Sequence, residues 1–300
     1  LSPMAVTMKL AIGPLLYFWS REDVLQFYAD VCDAPVDIVY LGEVVCSKRR
    51  LLKHEDWQEI AQALNDSGKE VVFSTLALIE AESELASVAR TAREQTLVEA
   101  NDYAAVHSLA GRSFIAGPHL NVYNAATLHM LADLGARRWI PPLELPLSTI
   151  ATLANDRPQG MEIEMFAYGR MPLAFSARCF TARTHRRQKD DCEFVCREYA
   201  DGLTLYTRED QPFLVFNGIQ TQSAATQNLL PHIDRLRSAG VNILRLSPQS
   251  RGFGEVVRAF RGALDGAAVT APPCALPGGY CDGYLEGAPG IALGSQGQSA

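Results

Sequence analysis

From Met8 to about Asp265 short apolar runs alternate with amphipathic stretches, the pattern of repeated strand–helix units. M-K-L-A-I-G-P-L-L-Y reads as the first strand. A helix follows from a Ser20 cap with Asp23 at its third position. V-D-I-V-Y-L-G is the second strand, ending at Glu43 and Cys46, and Trp57, Ile60, Ala61 and Leu64 fall at helical spacing in a helix over 54–67. E-V-V-F-S-T-L, T-L-V-E-A, S-F-I-A-G-P-H-L, R-W-I-P-P-L-E-L and M-E-I-E-M-F-A-Y-G continue the strands, with helices over 80–93 and 124–134 between them. P-F-L-V-F-N-G-I-Q and V-N-I-L-R-L-S-P-Q are the last strands, with helices near 229–239 and 253–265.

About eight or nine strands at a pitch of roughly thirty residues predict an α/β fold, a modified (β/α)8 TIM-like barrel. A doubly wound sheet is the alternative, but no G-x-G-x-x-G follows the first strand. The expected division is an N-terminal extension over 1–7, the barrel over 8–266 with an inserted cysteine-bearing loop at 178–199, and a Gly/Pro-rich C-terminal tail over 267–300. A chain that opens on Leu is expected to lack its natural start. In the tail, C-D-G-Y-L-E-G is expected to dock on the barrel and 291–300 to fray. A parallel barrel places function where its strands end, so Cys46 and Cys179 are expected on one rim. Glu43, Glu99, Asn101, Asp102, His119, Asn121, Glu144, Asn217, Gln220, Ser247 and Gln249 reach the same rim as candidates for a pocket lining.

The composition narrows the classes. A net charge of −7 and a pI near 5.4 speak against a general nucleic-acid binder. Seven cysteines in 300 residues lack the short regular framework of a secreted disulfide protein, so a reducing cytoplasm is expected. No run of apolar residues is long enough for a transmembrane helix.

The charged stretch R-C-F-T-A-R-T-H-R-R-Q-K-D-D-C-E-F-V-C-R-E-Y holds Cys179, Cys192 and Cys196, and Cys46 stands upstream in C-S-K-R-R. Cysteine is usually buried as a small hydrophobe, but these have charged neighbours. Four thiolates around a four-iron core of formal charge about +2 leave roughly −2. Arg178, Arg183, Arg186, Arg187, Lys189 and Arg197 are positioned to offset it. Lys48, Arg49 and Arg50 are expected to lower the Cys46 pKa, and Arg49, Arg50 and Arg178 to attract an anionic substrate. Incidental free thiols and structural zinc remain open, although zinc ribbons usually pair C-x-x-C knuckles and none occurs. A radical site with a third cysteine after C-x-x-x-C is disfavoured, since Tyr199 stands there. Cys32 reads as a core residue; Cys274 and Cys281 as spare ligands or a redox pair.

E-M-F-A-Y-G-R-M-P-L-A-F-S-A-R-C-F-T, at 164–181, resembles the signature of the collagenase-like peptidase (U32) family, a Glu, Phe and Gly followed by Ser-x-x-Cys. Y-L-G-E-V-V-C-S-K-R-R, S-T-L-A-L, Y-N-A-A-T, N-G-I-Q-T and R-L-S-P-Q extend the likeness, over about 8–287, to the family's ubiquinone-biosynthesis branch. Most relatives carry a cysteine where this chain has Pro172, and the branch takes a ligand from C-S-K-R-R instead. The resemblance therefore implies a 4Fe-4S cluster on Cys46, Cys179, Cys192 and Cys196. It further implies a heterodimer with a UbiU-like protein and ring hydroxylation of a ubiquinone precursor, an aromatic lipid, without O2, with prephenate as a plausible oxygen donor. C-D-G-Y-L-E-G departs from the C-N-G-Y-W-like segment expected there.

The other readings are an electron-transfer or structural partner without its own active site, a peptidase and an RNA hydroxylase. Ser176 lacks a G-x-S-x-G context and no H-E-x-x-H occurs, which weakens a hydrolase. His119 is the histidine placed for chemistry, with a structural or orienting role expected. The residues themselves name no catalytic group.

Overall fold

A computed structural model describes residues 8–268 and 270–294. The expected extension at 1–7 and the terminal part of the expected frayed end, 295–300, lie outside the described residues. In chain order the elements are β1 (Lys9–Ile12), α1 (Arg21–Asp33), β2 (Ile38–Leu41), α2 (His54–Asp66), β3 (Glu70–Ser74), α3 (Glu82–Glu94) and β4 (Val98–Ala100). Next come α4 (Tyr103–Leu109), β5 (Phe114–Ala116), α5 (Ala125–Asp133), β6 (Ala136–Trp139), α6 (Leu147–Asn155), β7 (Glu162–Phe175) and α7 (Phe180–Thr184). The chain continues through β8 (Leu203–Tyr206), β9 (Pro212–Asn217), β10 (Gln220–Asn228), α8 (Ile233–Ser238), β11 (Ile243–Leu246), α9 (Phe253–Leu264) and β12 (Tyr280–Cys281).

Strands β1 to β7 run parallel in sequence order, and β11 closes the ring by pairing in parallel with both β7 and β1. This is the closed (β/α)8 barrel that the strand pitch predicts. Local signals act as expected: the Ser20 hydroxyl accepts the Asp23 amide at 3.1 Å and starts α1. Between strands and helices the larger core gathers residues such as Leu10, Val39, Val98, Leu128 and Phe260.

Side chains two apart on a strand share a face, and this fixes what fills the barrel. Ala11, Ile38, Tyr40, Val72, Ile115, Ile140 and Ile243 form the interior cluster, and the same alternation turns Arg138, Glu164 and Arg245 inward. Those charges survive burial because they satisfy one another. Arg138 is fully buried and donates to Glu70 at 2.8 Å, to Glu162 at 2.7 Å and to the Tyr40 hydroxyl at 3.0 Å. Tyr40 in turn donates to Glu164 at 2.5 Å, and Glu164 accepts Arg245 Nε at 2.6 Å.

P-F-L-V-F-N-G-I-Q corrects the sequence reading, because it is not a barrel strand but β9 and the turn into β10, a hairpin outside the barrel. β9 turns at Gly218 into β10, which runs antiparallel to both β9 and the long end of β7, and β8 adds an outer strand. Gly218 and Ile219 form the two-residue loop between the paired Asn217 and Gln220, and Gly218 at φ +67° supplies the positive φ that such a hairpin turn needs at its first central position. The tail returns to this extension: β12 pairs with β10, and buried His232 and Asp282 meet at 2.9 Å.

Candidate functional site

The Cys46 segment begins at Gly42, where φ is +96° and an added Cβ would meet the Ser74 carbonyl oxygen at 2.9 Å. Glu43 then accepts the amides of Val45 and Cys46 at 2.8 and 3.0 Å, folding the chain back over the rim. From the end of β7, Cys179 caps the short α7, its sulfur accepting the Ala182 amide at 3.4 Å. The remaining loop is held by aromatic packing and a few specific bonds. Phe180 stacks on Phe216 at 5.0 Å, Phe194 meets Phe18 at 5.8 Å, and Trp19 Nε1 donates to the Ala200 carbonyl at 2.6 Å. Thr181 accepts the Gly218 amide at 3.0 Å, so the hairpin turn braces the loop.

Together these contacts bring Cys46, Cys179, Cys192 and Cys196 to the walls of one small pocket with Lys48, Arg49 and Lys189. All four thiols are free and half-buried. Among the described residues no three His, Cys, Asp or Glu side chains gather closely enough for a single metal ion. A four-iron cluster places one thiolate on each iron and does not require four sulfurs to converge on one point. The donor set is four soft sulfurs that would bind such a group as thiolates, and Arg49 supplies buried positive charge beside it.

The expected acidifying role of the C-S-K-R-R cations is corrected by where they point. Burial pushes the Cys46 thiol up to about 11, with the Lys48 amide and Arg49 offsetting only part of it. Burial also raises Cys196 against the pull of Arg49. Lys48 is engaged by Asp190 at 2.8 Å, and Arg50 is exposed and donates to the Ser47 carbonyl. Lys189 pairs with Glu80 and Arg187 with Glu193, while Arg178 is exposed. The stray cysteines sit apart. Cys281 is packed with Phe166 and Met171, its thiol pushed up to about 12 by burial, and neither it nor Cys274 lines the thiol pocket.

Beside the thiols, the C-terminal mouth of the barrel encloses a cavity of about 290 Å³. Leu16, Val44, Ala77 and Phe175 line it; Leu16 and Val44 belong to the apolar cluster against which Ala77, Phe175, Cys46 and Cys179 all pack. One hydrophobic layer therefore serves both the cavity and the thiol pocket. Glu99, Asn101, Arg245 and Ser247 give the cavity its polar groups, with His119 and Glu144 at the side. Arg245 is held by Glu99 at 2.8 Å and Glu164 at 2.6 Å and lies 4.0 Å over the Tyr40 ring, leaving its Nη2 without a partner. The Asn101 side-chain oxygen, Oδ1, is also unpartnered. Burial, reinforced by Arg245, pushes His119 down to about 4, so the imidazole is neutral at neutral pH.

Of the residues expected at the rim, Glu99, Asn101, His119, Asn121, Glu144 and Ser247 line this cavity. The others do different work. Asp102 caps α4, and Glu43 shapes the Cys46 turn. Asn217 holds Arg49 and the Leu16 carbonyl, Gln220 bonds to Asn217, and Gln249 donates to the Arg251 carbonyl. Arg49, Arg50 and Arg178 do not line the cavity; its cation is Arg245, which the sequence reading passed over. The available signal was a charged residue inside the apolar strand I-L-R-L, where alternation turns it inward.

Fold and site define a parallel (β/α)8 barrel with a four-thiol pocket built on the rim where its strands end. Residues 23–274 match the profile of Peptidase family U32, and the chain belongs to that family. It is similar to tRNA hydroxylation protein P of Helicobacter pylori strain J99, 25% identical over 160 residues, 48% of this chain and 37% of that protein. The protein of the same name from Escherichia coli K12 is 24% identical over 199 residues, 51% of this chain and 44% of that protein. The chain thus spans less than half of the curated relatives it matches. A solved structure titled as the U32 peptidase Mk0906 aligns at TM-score 0.47 and 12% identity, over 84% of this chain and 97% of the other. Among the described residues no helix is long and apolar enough to cross a membrane.

Proposed function

We propose that this chain is the iron–sulfur subunit of an oxygen-independent ring hydroxylase, the UbiV-type half of a heterodimer with a UbiU-like protein. The observation that carries the reading is the gathering of four thiols from two distant segments beside a barrel-mouth cavity that shares their apolar packing. Cys46, Cys179, Cys192 and Cys196 would hold a 4Fe-4S cluster, which supplies one-electron redox chemistry or a Lewis-acidic iron when bound.

The chain's own residues suit a small partly apolar guest. Ile140, Leu143, Phe166 and Phe175 offer an aromatic ring a dry wall, and the shared hydrophobic layer keeps water from the thiol side. Arg245 Nη2 is the free donor for a carboxylate, as an organic oxygen donor such as prephenate would present. Neutral His119 orients a hydroxyl or carbonyl without adding charge. The relatives' name supports hydroxylation as the chemistry. Their RNA substrate fits this chain less well, because a net charge of −7 repels a polyanion. A peptidase has less support still: Ser176 accepts the Arg178 amide and has no histidine among its described hydrogen bonds.

The test is anaerobic incubation of the reconstituted heterodimer with a ubiquinone precursor and prephenate, with the hydroxylated ring followed by mass spectrometry. Product should require both subunits, and Cys192→Ala should abolish it. Leu143→Trp, which fills the cavity and leaves the thiols alone, should abolish it too. Full activity in Leu143→Trp with the cluster intact would move the ring to the partner and leave this chain a non-catalytic electron-transfer or structural subunit.

A further inference from the structure

Arg49 stands out among the charges around the thiol pocket. It is 7% exposed, whereas Arg178, Arg183, Arg186 and Arg197 are exposed and Lys48, Arg187 and Lys189 are spent on carboxylates. Its guanidinium is clamped: Nη1 donates to the Leu16 carbonyl at 2.6 Å and Nη2 to Asn217 Oδ1 at 2.8 Å. The Phe18 ring lies under it at 5.6 Å, and Gly218 leaves the space in which an added Cβ would come within 2.8 Å of Nη2. Glu43, 3.8 Å away, is its nearest carboxylate and is already occupied by the Val45 and Cys46 amides. With both terminal nitrogens committed, Nε is left buried and without a hydrogen-bond partner, on a side chain that lines the pocket of the four thiols. An unpartnered buried N–H costs on the order of 1–3 kcal/mol, and since the Arg49 side chain already bears on the Cys196 thiol, the acceptor it points to is sulfur in this pocket.

We infer that Arg49 Nε–H donates to a sulfur of the group held by Cys46, Cys179, Cys192 and Cys196, and that Arg49 is the positioning and tuning residue of that group. The inference rests on the cluster assignment proposed above. A donor hydrogen bond and a fixed positive charge stabilise the more negative, reduced state, so they raise the reduction potential. The other end of the guanidinium holds the Leu16 carbonyl, and the Leu16 side chain lines the barrel cavity. Arg49 therefore also adds a hydrogen-bonded link from the thiol pocket to the cavity wall, beside the apolar layer the two share.

The experiment is an anaerobic redox titration of the heterodimer, read by electron paramagnetic resonance, on the parent, Arg49→Lys and Arg49→Gln, with iron and sulfide measured on each. Both variants should shift to more negative potential, Arg49→Gln further because it also loses the charge. A tenfold change in the oxidised-to-reduced ratio, about 59 mV for one electron, is the expected scale for Arg49→Gln. Because either variant risks losing its cluster, a second measurement uses the unmodified sequence. With 15N-arginine incorporated, pulsed resonance of the reduced cluster should show a coupled arginine nitrogen. A parent chain without iron and sulfide would sink the cluster assignment and this inference with it. A cluster with unchanged potential in folded Arg49→Lys and Arg49→Gln, or with no arginine nitrogen coupled to it in the parent, would overturn this inference alone.

Discussion

The barrel interior and the cysteine loop both carry many charges, and they treat them in opposite ways. Inside the barrel Arg138, Arg245, Glu99 and Glu164 are buried and paired with one another, with Arg245 Nη2 left open toward the cavity. In the loop, Arg187 with Glu193 and Lys48 with Asp190 are pairs open to water. The backbone differs as well. Arg186, Glu193 and Phe194 adopt positive φ without being glycine, and the loop's helical pieces are a single turn or little more. The barrel thus makes its own stability, while the loop borrows its order from packing against Phe18, Trp19 and the hairpin, and from whatever its thiols hold. That division suits a rigid base carrying an adaptable loop.

The comparison breaks most visibly at Arg138. Replacing it by Met leaves Glu70, Glu162 and Glu164 without their shared cation, and removal of one partner from a buried network costs about 3–5 kcal/mol. Urea unfolding should show that loss, and a loss below about 1 kcal/mol would mean that the network is not integral to the barrel.

His119 tests the same region by pH. Its folded pKa of about 4 lies below the unfolded value near 6.5, so between those values the unfolded chain binds more protons. Stability from this group is fully present above about pH 6.5, falls as pH drops toward 4 and changes little below that. The expected size is about 2 kcal/mol after discounting for water at the cavity mouth. The slope should disappear in His119→Gln; a slope that persists unchanged assigns the acid sensitivity to other groups.

Smaller effects should come from the loop. In metal-free protein Cys192→Ala should change the stability of the barrel by no more than about 0.5 kcal/mol, because the thiol contributes little packing. Lys48→Ala should fall within about 0.5 kcal/mol by thermal melting, since its partner Asp190 is almost fully exposed. A large loss in either would show that the loop is part of the barrel's cooperative unit.

The barrel was legible because strands such as I-V-Y-L and helices such as 54–66 carry their period openly. The four cysteines were legible for a different reason: thiols surrounded by Arg, Lys and Asp cannot be a packing stripe. What escaped had its signal reversed by burial. Arg138, Glu164 and Arg245 look like breaks in apolar strands until the closed ring pairs them. Q-T-Q-S-A-A-T-Q-N, β10, looks like loop because its polar groups are buried by the hairpin and the returning tail. The cations of C-S-K-R-R misled for a related reason. Charge near a thiol in sequence lowers its pKa only if it outweighs burial, and at Cys46 it does not.

The most direct test of the central claim is anaerobic purification of the parent chain and Cys46→Ala, with iron, sulfide and zinc analysis and an absorption spectrum. The account predicts about four irons and four sulfides per parent chain, with a cluster lost or labile in the variant. Zinc in place of iron, or a cluster indifferent to Cys46, would contradict it.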